Sequence, residues 1–192
     1  MAFVVLYDAC VLHPAPVRDL LIRLGRTGLV RVRWSETILD ECFRSILERR
    51  PDLRAEALAR SRQLMTEAIP DCMVTGFESL IDGLALPDPD DRHVLAAAIK
   101  ANAQLIVTAN LADFPVERLA PFSIEAKHPD DFVLDLIDLA PAKVALVVNE
   151  QASALKNPPR TVDDILDILQ EQGLVRSVAK LRELLGAGEP TD

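Results

Sequence analysis

Five consecutive apolar residues, Phe3-Val4-Val5-Leu6-Tyr7, end directly on an acid, Asp8. An uninterrupted apolar run of this length fits a strand buried on both faces, and so a sheet covered by helices on each side. The following segments agree. Pro14 and Pro16 lead into a helical stripe of Val17, Leu20, Leu21 and Leu24, with Gly28 as a stop. Val30 to Trp34 reads as a short strand, with Arg31 and Arg33 on its polar face. Ser35 is suited to cap a helix over 36–49, which Pro51 ends, and a second helix is expected over 52–68. Residues 70–87 are turn-rich and carry no clear element. Asp88-Pro89 opens a helix that runs to about Ala101, Gln104 to Thr108 is the next strand, and 122–126 is a short edge strand. Alternating strand and helix predicts an α/β fold with a central, mainly parallel twisted sheet flanked by helices.

Beyond about residue 129 the strand signal stops. Helical segments are expected near 130–155, 162–172 and 174–185, with Thr161 and Asp164 as a capping box and 186–192 as a frayed tail. The organisation read from this is a domain over 1–130 and a helical C-terminal extension over 131–192. A chain of 192 residues, 49% hydrophobic, has ample material for one core. No apolar run reaches the roughly 18–20 residues of a membrane span, and the start shows no leader pattern, so a cytoplasmic protein is expected. Three separated cysteines, Cys10, Cys42 and Cys72, read as reduced thiols. The net charge of −9 is unevenly spread: residues 1–66 hold 11 arginines against eight acids, and the rest hold ten bases against 22 acids. The bulk charge disfavours non-specific nucleic-acid binding, while the arginine-rich third leaves room for a local phosphate-binding rim.

The acids fall where a parallel sheet collects functional groups, outside the carboxyl ends of its strands. Asp8 follows the first strand, Asn110 and Asp113 follow the strand at 105–108, and Asp88, Asp90 and Asp91 stand at a helix start. Clustered carboxylates suit Mg²⁺ or Mn²⁺ and phosphate chemistry. Each also has a structural reading. Acids at a helix N-terminus are favourable for capping alone, and Asp113 before Phe114-Pro115 suits a turn. Asp8 is harder to dismiss, because apolar residues flank it on both sides. Glu41 lies away from the stripe of Ile38, Leu39, Cys42, Phe43, Ile46 and Leu47, and periodicity reads it as a surface residue. His93, two residues after Asp91, is expected to face elsewhere and to be structural. No Gly-rich phosphate loop, nucleophile elbow or zinc spacing is present.

Four segments in order resemble the PIN-domain nucleases, in particular the VapC-like toxins of bacterial type II toxin–antitoxin pairs. They are Tyr7-Asp8-Ala9-Cys10-Val11-Leu12, Ser35 with Ile38-Leu39-Asp40-Glu41, Pro87 to Ala98, and Leu105 to Phe114. The resemblance covers roughly residues 1–130. It implies Asp8, Glu41 and Asp91 as catalytic acids holding one or two Mg²⁺ or Mn²⁺ ions. Asp90 would replace Asp91 if the register slips by one. The family's fourth acid falls on Asn110, a neutral oxygen ligand here, with Asp113 as the substitute charge. Thr108 and Ser35 are expected to orient a carboxylate or the phosphate. The resemblance further implies cleavage of single-stranded RNA to 5′-phosphate and 3′-hydroxyl ends, a homodimer, and a basic antitoxin reaching Asp8 and Glu41. The alternatives are a catalytically weak PIN-like module that binds RNA or a partner and, more remotely, a phosphoacceptor receiver domain using Lys127.

Overall fold

The computed structural model describes residues 3–186. Strand β1 (Phe3–Tyr7) leads through a one-turn helix α1 (Ala9–Leu12) into α2 (Ala15–Arg26). Strand β2 (Val30–Ser35), helices α3 (Glu36–Arg49) and α4 (Ala55–Ala68), a two-residue strand β3 (Met73–Val74) and the short helix α5 (Glu78–Ile81) follow. A 3-10 turn at Pro89–Asp91 enters α6 (Arg92–Lys100), then come β4 (Leu105–Val107), a second 3-10 turn at Leu111–Asp113, and α7 (Val116–Leu119). A third 3-10 turn at Ala120–Phe122 precedes β5 (Glu125–Lys127). Four helices complete the fold: α8 (Pro129–Leu139), α9 (Pro141–Ala154), α10 (Val162–Glu171) and α11 (Val175–Gly186).

The five strands form one sheet in the order β3-β2-β1-β4-β5, with every neighbouring pair parallel. This is the α/β arrangement expected from the alternation of strand and helix. Tyr7 pairs with Val107 across the β1–β4 ladder, so Asp8 and Thr108 emerge side by side at its carboxyl end. There the chain order reverses, from β1 outward to β3 and then back to β4, which is where open α/β sheets place their sites.

Several expectations shift for local reasons. The helix expected from residue 52 begins at Ala55, because Pro51 and a turn intervene before the extended Arg54. Strand β3 lies inside the stretch read as turn-rich; it exists through its pairing with Trp34 and Ser35, which no local pattern announces. The 122–126 strand moves to 125–127, since Ser123 adopts a left-handed backbone that closes the preceding turn. The single helix expected over 130–155 is two, because the residue before Pro141 is driven out of the helical region and Ala140 sits at φ −151. The capping box of Thr161 and Asp164 is present. The tail expected over 186–192 lies, beyond Gly186, outside the described residues.

The C-terminal helices share one hydrophobic core with the sheet domain: Val144, Val148, Ile165, Leu169 and Leu181 belong to the same buried cluster as Val5, Leu20 and Leu24. Polar ties reinforce this. Gln151 Nε2 on α9 donates to the Pro16 carbonyl at 2.9 Å. The buried carboxylate of Asp130 accepts from the backbone N–H of Arg176 (2.9 Å) and of Ser177 (2.8 Å), so α8 caps the start of α11. Among the described residues no helix is long and apolar enough to cross a membrane.

Candidate active site

Asp8 is the centre of the constellation. It is 5% exposed and sits between β1 and α1. Its Oδ1 accepts from the Ala9 N–H at 2.6 Å, and its Oδ2 accepts from the Thr108 hydroxyl at 2.8 Å and from the Cys10 thiol at 3.1 Å. Thr108 in turn accepts from the Asn110 N–H at 3.0 Å, and Cys10 Sγ accepts from the Ala109 N–H at 3.2 Å. A buried carboxylate is tolerated because these donors replace its water. Burial and the Asp8 charge push the Cys10 thiol up to about 12, so it remains protonated as a donor.

Asp91, half-buried at the last position of the 3-10 turn, faces this centre. Burial comes first, then the charges of Asp8, Asp113 and Asp88; together they push its carboxyl up to about 7. Asp90 is exposed, and its backbone N–H is held by Asp88 Oδ1 at 2.8 Å. Asp113 brings a negative charge to bear on Asp91, whereas the exposed Asn110 engages Thr108 through its backbone.

Two expected residues are placed differently. Glu41 does not figure among the charges acting on Asp91; its Oε1 meets His93 Nε2 at 2.9 Å. Ser35 is fully buried, and its hydroxyl accepts from the Ile38 N–H at 3.2 Å as the cap of α3, with no hydrogen bond to any of the acids among the described residues. Sequence reading missed Cys10 and His93 as members of the site. His93 was expected to face elsewhere than Asp91; its ring meets Glu41, and its charge also bears on Asp91. The available signal was a histidine amid the apolar residues of α6, at a position that needs a polar partner once buried.

No three His, Cys, Asp or Glu side chains among the described residues stand close enough to enclose a metal ion by themselves. The donor set nevertheless fits a hard divalent cation. It is made of oxygens, and the repulsion that lifts Asp91 is what a cation would relieve. Mg²⁺ keeps several of its waters and needs only one or two direct carboxylates.

Comparison with known proteins identifies the family of the chain. Residues 4–112 match the PIN domain, and residues 129–183 match the VapC50 C-terminal domain. The chain is 45% identical over 100 residues to a protein of Mycobacterium tuberculosis (strain ATCC 25618 / H37Rv) named "Putative ribonuclease VapC50", covering 52% of this chain and 59% of that protein. The match thus spans less than two thirds of the relative's length. No solved structure matches. With more than half of its residues inside the PIN match, the chain belongs to the PIN-domain family.

Proposed function

We propose that this protein is a metal-dependent endoribonuclease that hydrolyses single-stranded RNA, acting as the toxin of a toxin–antitoxin pair. The observation that carries the reading is the carboxyl of Asp91, raised to about 7 beside Asp8 and Asp113 at the turning point of the sheet. An acid raised by burial and by neighbouring charges, at the point where the strand order reverses, favours a functional site over a structural one. The name of the VapC50 relative supports the ribonuclease assignment.

Bound Mg²⁺ or Mn²⁺ would supply a hydroxide at neutral pH and neutralise charge on the phosphate. The chain's own residues do the rest. Asp8, locked by Thr108 and Ala9, and Asp91 would hold the cation, with Glu41 as the third acid. Asp113 and Asn110 act through water, and Asp90 stays outside. Thr108 fixes the Asp8 rotamer. In-line attack of the water-derived oxygen on phosphorus would break the P–O3′ bond, and with a proton passing to the departing oxygen the ends would be a 5′-phosphate and a 3′-hydroxyl. A homodimer and a basic antitoxin that covers the acids complete the reading.

One observation favours a second reading. Asn110 leaves the fourth acidic position neutral and exposed, which fits a module that binds one cation weakly and does not cut. The deciding experiment is cleavage of a mixed single-stranded RNA with Mg²⁺, Mn²⁺ or EDTA, beside Asp8→Asn. Metal-dependent cutting that disappears in the variant is expected. A folded, antitoxin-free protein that cuts under no condition overturns the nuclease in favour of the binding module.

A further inference from the structure

His93 lies on the first turn of α6 and is 7% exposed. Its Nε2 stands 2.9 Å from Glu41 Oε1, while its Nδ1 is buried with no hydrogen-bond partner. The two ring nitrogens therefore differ in what they can do. A buried N–H without an acceptor is costlier and rarer than a buried acceptor without a donor. The arrangement that leaves Nδ1 bare puts the proton on Nε2, pointing at Glu41. Glu41 is 30% exposed and accepts no other hydrogen bond among the described residues, so its Oε2 remains available. Periodicity alone gives Glu41 no reason to hold one orientation: it lies beside the apolar stripe of α3, and nothing on its own helix fixes it.

We infer that His93 is a positioning residue: its Nε2–H clamps Oε1 of Glu41 and so presents Oε2 to the cation gathered by Asp8 and Asp91. This rests on the functional reading above. The clamp joins α3 to α6, the two helices that carry Glu41 and follow Asp91, and its His93 end is buried while Glu41 stays partly exposed. It gives a glutamate outside the tight cluster around Asp8 one fixed orientation. Partners of this kind, one step removed from a metal, typically change affinity by about 10–100-fold when removed.

The test is Mn²⁺ binding to the full chain, read by electron paramagnetic resonance, for the wild type, His93→Leu and His93→Gln, with thermal melting of each as a folding control. His93→Leu keeps the bulk and removes the donor, so its dissociation constant is expected to rise about 10–100-fold. His93→Gln, whose amide N–H reaches the same oxygen, is expected to recover most of that loss. Equal affinity in His93→Leu and wild type, or a Gln variant no better than Leu, overturns the clamp while leaving the metal site standing. A wild-type protein that binds no Mn²⁺ overturns the functional reading and the clamp with it. A second measurement needs no variant: nitrogen-15 shifts of the histidine ring in the unaltered protein. The Nε2–H form is expected, and an Nδ1–H form overturns the inference.

Discussion

Asp91 carries a carboxyl whose proton is held by burial and by the charges of Asp8, Asp113 and Asp88, up to about 7 from an ordinary 3.8. A raised folded value means that the stability lent by this proton is fully present below the ordinary value and is lost as the pH rises through about 7. Metal-free protein is therefore expected to melt at lower temperature as the pH rises from about 5 to 8, by a few degrees at most because the half-exposed group is screened. Asp91→Asn or added Mg²⁺ should flatten that slope; a slope unchanged by both would refute the electrostatic account. Thr108→Val removes the hydroxyl from the buried Asp8 while keeping the shape. A loss of about 1.5–3 kcal/mol is expected in urea unfolding, with weaker metal binding. At this scale the sequence was legible where burial and charge conflict within one segment. Asp8 announced itself in that way. Glu41 was singled out by resemblance alone, and its contact with His93, read as structural, went unforeseen because the two are 52 positions apart. Ser35 fits a capping role as well as an orienting one from sequence, and its hydroxyl bonds to α3.

Helix α2 crosses β2 at Gly25, where an added Cβ would lie 2.7 Å from Val32 Cγ2 and 2.9 Å from Ile69 Cδ1. Val32 is β-branched and cannot swing aside cheaply. Gly25→Ala gains up to about 1 kcal/mol of helix propensity but incurs about 1–3 kcal/mol of overpacking. A net loss is expected, visible as a lower denaturant midpoint with an unchanged slope; a stabilised variant would show that the helix can shift. Contacts of this sort are invisible in a linear reading, as is β3, which depends on pairing with β2. Elements that carry their own signals were legible: the apolar run of β1, the Ser35 cap of α3, and the capping box of α10. The break at Ala140-Pro141 was legible in principle, since proline restricts the residue before it.

Across the whole molecule, the segments matching the PIN domain and the VapC50 C-terminal domain share one core. Leu20, Leu21 and Leu24 of α2 are fully buried, in a cluster that includes Val144, Ile165 and Leu169. A chain cut after residue 130 is expected to expose this surface and to aggregate or lose its cooperative melt; a monodisperse, cooperatively melting fragment would make the extension an independent unit. The charge imbalance was legible from composition, but not which arginines stand together. Arg18, for example, is turned inward, donating to the Leu12 and His13 carbonyls at 2.6 and 3.2 Å, and cannot serve an outer rim.

The pairing of β1 with β4 also sets a clock. Asp8 is made 100 residues before the threonine that holds it. At about 5–20 residues per second, roughly 5–20 s of synthesis separate the two. During that interval the nascent chain already carries Asp8 and Glu41, but neither the strand that anchors the first nor, at the outset, the helix whose His93 meets the second. The group of acids at the carboxyl edge of the sheet is thus completed only late in synthesis, once β4 has been made.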